Sequence, residues 1–88
     1  MRKTLVQTCR KLCQTGEPLL LRYYLLAEED GSLERYGTEI VLRRGVSEER
    51  CACHDVTPLS SVMLDLIGIL ARNSVTPALL DEILPSLL

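Results

Sequence analysis

Residues 56–77 read VTPLSSVMLDLIGILARNSVTP, and the reading of this stretch decides the fold. The tripeptide Val-Thr-Pro opens it at Val56-Thr57-Pro58 and closes it at Val75-Thr76-Pro77. Each copy reads as a helix start. The Thr hydroxyl can serve as N-cap, accepting from a free backbone N–H. Pro suits the first helical position, where no N–H is needed and φ is already helical. In the second copy Val75 can pack on Leu80 as a hydrophobic staple. Asn73-Ser74 ends the first helix. The pattern predicts helices over about 58–73 and 77–88, with Pro85 removing an interior hydrogen bond and ending or kinking the second.

The first helix places Ser61, Asp65, Gly68 and Arg72 on a narrow polar stripe. Leu59, Val62, Met63, Leu64, Leu66, Ile67, Ile69 and Leu70 fill the rest. At 100° per residue that apolar arc spans roughly 220°, against the ~100° stripe that suits a helix lying on one core. Such a helix calls for cover on two sides: a sheet on one, and the second helix or a partner chain on the other. The second helix gathers Leu79, Leu80, Ile83, Leu84, Leu87 and Leu88 on one side.

Upstream of Thr57 the period changes from helical to two. Residues 19–28 read LLLRYYLLAE, with no breaker until Gly31-Ser32, and predict a strand. One face takes Leu19, Leu21, Tyr23 and Leu25; the other takes Leu20, Arg22, Tyr24, Leu26 and Glu28. Residues 35–44 predict the next strand, with Tyr36, Thr38, Ile40 and Leu42 on one face. Residues 48–56 predict another, with Cys51 and Cys53 sharing a face and His54 opposite. Residues 4–13 are compatible with a helical stripe through Leu5, Cys9, Leu12 and Cys13. Their strand-forming content and the turn at Gln14-Thr15-Gly16-Glu17 favour a strand. Short connections between such strands favour an antiparallel meander. The expected fold is therefore α+β: one domain over 1–88, with an antiparallel meander of three to four strands followed by two C-terminal helices on one sheet face.

Composition bounds the function. The chain has 88 residues, 47% hydrophobic, with three Tyr, no Phe and no Trp. Leucine supplies 18 of the 88 residues, so branched aliphatics must build the core that aromatics build elsewhere. A net charge of −2 with this aliphatic content excludes a disordered chain. It also argues against a dedicated DNA-binding domain, which would be basic. No run of ~20 apolar residues offers a membrane span. Arg10 and Lys11 interrupt anything resembling a signal peptide. A cytoplasmic setting is expected, with Cys9, Cys13, Cys51 and Cys53 as reduced thiols.

Three chemistries compete with simpler explanations of the same residues. Cys51, Cys53 and His54, with Cys9 or Cys13, could supply zinc ligands, since thiolate and imidazole are what zinc prefers. The spacing is poor, because His54 points away from the two thiols, and a core position for Cys51 and Cys53 opposite Ile40 is preferred. A catalytic Cys53–His54 pair fails on the same geometry, and a nucleophile also needs a group to orient its base. The outward sheet face carries Arg22, Tyr24, Arg35, Arg43, Arg50 and His54, which could stack and neutralise single-stranded nucleic acid. Glu28, Glu39 and Glu48 dilute that face, and cross-strand ion pairs explain the pattern more simply. No glycine-rich phosphate loop is present. Asp65, Asp81 and Glu82 read as solvated.

Three further stretches carry a resemblance. They are Tyr23-Tyr24-Leu25-Leu26 followed by acidic residues, Tyr36-Gly37-x-Glu39-Ile40, and Leu70-Ala71-Arg72-Asn73-Ser74-Val75-Thr76-Pro77, with Asp55-Val56-Thr57 as a lesser match. Over residues ~20–88 the chain resembles a family of short Gram-positive bacterial proteins of unknown function. The resemblance implies the four-strand, two-helix order and a bacterial cytoplasmic setting, and it implies no catalytic residue. The chain departs from the family's pattern at Cys51 and Cys53, where apolar residues are usual. It departs again at Pro85 and the terminal leucines, where acidic and aromatic residues are common.

The expectation is a non-enzymatic interaction or regulatory module without a cofactor, self-associating as a homodimer. Its contact surface is expected on the outward sheet face at Tyr24, Leu26 and Val41, or on the last helix at Leu84, Leu87 and Leu88.

Overall fold

The computed structural model describes residues 1–88, the side chain of Asp30 excepted. The strands are β1 (Arg2–Leu12), β2 (Pro18–Asp30), β3 (Leu33–Arg44) and β4 (Ser47–Thr57), followed by α1 (Ser60–Arg72) and α2 (Pro77–Leu87). The strands form one sheet in the order β1-β2-β3-β4, each antiparallel to its neighbour. The α+β meander expected from the change of period is thus the observed fold, with four strands. Residues 2–12 are strand and not helix. They pair along nearly the whole of β2 through the turn at 13–17, and one bulge at Val6 interrupts the register between Leu5 and Gln7.

Both helices lie on the face that carries Leu21, Tyr23, Ile40 and Leu42. The alternation of β2 and β3 sends these residues inward, where they meet Met63, Leu66, Ile67 and Leu70 of α1 and Leu80 and Leu84 of α2. Tyr23 is the largest fully buried side chain. Its hydroxyl, costly to bury alone, donates to the carbonyl of Val75 between the helices at 2.9 Å. Thr38, also fully buried, satisfies its hydroxyl on the Tyr24 carbonyl at 2.9 Å.

The end of α1 has a definite stop. Ser74 adopts φ 50, the Ser74 N–H donates to Ala71 O, and the Val75 N–H reaches back to Leu70 O. This is a Schellman closure, with serine in the left-handed position that glycine usually takes. Val75 is then buried beside Leu80 in the core, as a staple requires.

Two details of the helix starts differ from expectation. The first helix begins at Ser60, not at residue 58, and its N-cap position is Leu59. Thr57 is still pairing with Tyr36 as the last residue of β4, and its hydroxyl accepts from the Leu59 N–H at 3.2 Å in the turn. The sheet register therefore claims Thr57 before the helix can. Thr76 is the N-cap of α2 by position, yet its side chain makes no capping bond. Pro85 does not end α2, which continues to Leu87, and the Ser86 hydroxyl donates to Ile83 O in that last turn. Among the described residues no helix is long and apolar enough to cross a membrane.

Candidate functional site

The face of the sheet away from the helices is tied together by long-range ion pairs. Lys3 on β1 reaches Glu39 on β3, and its ammonium lies 4.5 Å from the Tyr24 ring centre on the strand between. Arg22 on β2 reaches Glu48 on β4 at 3.3 Å, and Arg50 of β4 grips the same carboxylate. Glu28 on β2 bonds His54 on β4. Each of these three pairs crosses one intervening strand. Arg35 is further paired with Asp55, and Arg2 with Glu34 at 2.7 Å.

These straps decide where the expected contact residues lie. Val41 stands between Arg22 and Arg50 in the cross-strand register, and Leu26 is paired with Lys3. Val41 is 1% exposed and Leu26 is 2% exposed, although both face away from the core. The aliphatic stems of the long charged residues cover them. Of the three sheet-face candidates, Tyr24 alone keeps partial exposure. On α2, Leu84 is in the core, Leu87 packs half-buried against it, and Leu88 is exposed. Of the residues that would meet nucleic acid on this face, Arg22, Arg35, Arg50 and His54 are held by carboxylates of the same chain, and Arg43 is not.

The zinc set does not assemble. Cys9 packs against the core and its thiol faces Ala71 O at 3.7 Å. Cys13 sits in the β1–β2 turn against the Thr15 hydroxyl at 2.8 Å. His54 lies on the outer side with Glu28. Among the described residues no group of three or more His, Cys, Asp or Glu side chains is placed to hold a metal. Cys51 and Cys53 face inward opposite Ile40 and Thr38 and pack against the core.

Sequence reasoning missed their partner. Asp81, read as solvated, accepts from the Cys53 thiol at 3.4 Å, and the Cys51 sulfur lies 3.8 Å from the same carboxylate. Burial first, and then this carboxylate, pushes the Cys53 thiol up to about 11 and raises Cys51 in the same direction. Held protonated, the two thiols are poor nucleophiles. They instead fasten α2 to the edge strand β4. Cys13 is opposite in character: the Thr15 hydroxyl and nearby backbone N–H groups pull its pKa down.

At the end of β4, Gly37 faces three residues, His54, Asp55 and Val56, where the register runs from Tyr36–Thr57 to Thr38–Cys53. Asp55 takes φ 55 in this bulge. A Cβ on Gly37 would lie 2.1 Å from the Cys53 carbonyl oxygen. The bulge thus crosses where β3 has no side chain, and it places Asp55 against Arg35.

Helix α1 is covered only at the middle of its apolar arc. Met63, Leu66, Ile67, Leu70 and Ala71 are buried, while Val62 and Leu64, on the two rims, stay 38% and 42% exposed. Leu59, just before the helix, is 57% exposed.

The chain belongs to a family of unknown function, DUF6514, whose family model matches residues 2–88. No curated protein and no solved structure matches the chain. The family match takes in β1, which the resemblance over residues ~20–88 did not reach.

Proposed function

We propose that the chain is a non-enzymatic interaction module of the cytoplasm that works as a homodimer through the open rims of α1. The observation that supports this reading is the uncovered apolar arc. Val62 on one rim of α1, Leu64 on the other and Leu59 just before the helix hold exposed aliphatic surface beside a buried centre of Met63, Leu66, Ile67 and Leu70. Burying such surface is favourable by roughly 25 cal/mol per Å². A second copy offers the same rims, as a two-fold interface requires. The middle of the outward sheet face, at Leu26 and Val41, is already buried among its own ion pairs, whereas the rims of α1 have no such cover.

The paired substitution of Val62→Glu with Leu64→Glu tests this reading. Both positions are partly exposed, so the monomer fold tolerates them, and a circular-dichroism melt checks this. The variant is expected to elute as a monomer at concentrations where the parent elutes as a dimer. Equal elution of the two would contradict the reading.

A further inference from the structure

The cations of the outward face are strapped to carboxylates everywhere except at one end. Arg10 on β1, Leu20 on β2 and Arg43 on β3 form one cross-strand row, next to the β1–β2 and β3–β4 turns. Beside it lie Leu12 and Pro18, paired across the first hairpin. Together with Gly45 these residues line an open cleft of about 460 Å³. That volume is within the ~300–1,000 Å³ range of small-molecule sites. Its floor is aliphatic and its walls are arginine. Among the described residues no ion pair involves Arg10 or Arg43, nor Lys11, which also borders the cleft. Arg43 directs its Nε to the Gly45 carbonyl at 3.3 Å and keeps its terminal nitrogens for another partner. Gly45 takes φ 57 and adds no side chain to close the cleft. Two carboxylates are close by: Glu48 faces Arg43 across the strands but is held by Arg22 and Arg50, and Glu17 lies against Gly45, not against a guanidinium.

We propose that this cleft binds an amphipathic anion, a carboxylate or phosphate head carrying a hydrocarbon chain. Arg10 and Arg43 are two strand spacings apart, roughly 9–10 Å between backbones. Their guanidinium groups can converge on one head group from both sides with charge-assisted hydrogen bonds. The chain of the ligand lies along Leu12, Pro18 and Leu20. This site is on the sheet end and does not depend on the helix-mediated dimer, so the two readings stand or fall separately.

The test is an amide-shift titration of the full chain by NMR with decanoate, decyl phosphate and neutral decanol, each below its micelle concentration. Saturable shifts confined to Leu12, Leu20, Arg43 and Gly45 are expected for the two anions and not for decanol. Arg10→Gln with Arg43→Gln should weaken binding by about tenfold or more while distant amides stay in place. A parallel titration with phosphatidylglycerol and phosphatidylcholine vesicles separates the sources. Shifts with the anionic vesicles assign the head group to a bilayer lipid, and shifts with dissolved anions alone assign it to a free amphiphile. Absence of saturable shifts with any anion, equal binding of decanol, or undiminished binding by the double variant would each overturn the proposal.

Discussion

The Tyr23 hydroxyl donates to the Val75 carbonyl at 2.9 Å, and by this bond the second strand holds the linker between the two helices. Val75 itself closes the end of α1 with its N–H and fills the core with its side chain. Tyr23→Phe keeps the ring and leaves that carbonyl buried without its donor. The expected loss is about 1–3 kcal/mol, read from urea unfolding as a lower midpoint with an unchanged slope.

Two glycines predict opposite outcomes. Gly37→Ala would drive a methyl into the Cys53 carbonyl oxygen, at 2.1 Å, where only backbone could yield. It should cost roughly 3 kcal/mol or more, in the upper range for single substitutions. Gly68 lies within α1 with nothing within 4 Å of an added Cβ. Gly68→Ala should therefore stabilise by roughly 0.5–1 kcal/mol through helix propensity. Thermal melts of the two variants beside the parent check both signs.

Stability should fall on the alkaline side. Cys53 holds its proton to about 11 in the fold, against 9.0 for an unperturbed thiol. The folded state then binds more protons than the unfolded chain as pH rises above about 9. The contribution is fully present below that value and is lost as pH climbs through 11. Cys51 and Tyr23 are raised too, chiefly by burial, and act in the same direction. Cys53→Ser retains a hydroxyl for Asp81 and does not titrate in this range, so its melting temperature should decline less between pH 9 and 11 than the parent's.

The same environments order thiol reactivity. Cys13, with its pKa lowered by Thr15, should react first with iodoacetamide at neutral pH, and Cys53 should lag well behind. Mass spectrometry of peptides after timed quenching reads the order. Thr15→Val removes the hydroxyl and should slow Cys13 alone.

Much of the fold was legible because alternation and helical period are separated by one proline-marked step, and Val75-Thr76-Pro77 starts α2 where it reads. The start of α1 was not, because Thr57 is shared by two demands and cross-strand pairing with Tyr36 takes it. Pro85 in the sequence points to a helix end or a kink. At the last turn of a helix, however, it forfeits a single hydrogen bond and the chain runs on to Leu87. The candidate surface was the least legible part. Leu26 and Val41 have the pattern of outward apolar residues, but no local rule reveals that Lys3 and Arg22 reach two strands across and cover them. The contact of Asp81 with Cys51 and Cys53 likewise depends on where α2 lands on β4, a tertiary fact.

Sedimentation equilibrium of the purified chain at micromolar concentration tests the central claim, self-association through α1, most directly. The account predicts a mass of twice the 9.9 kDa chain, returning to one chain mass when Val62→Glu and Leu64→Glu are introduced together. A parent chain that sediments as a 9.9 kDa monomer across that range would contradict it.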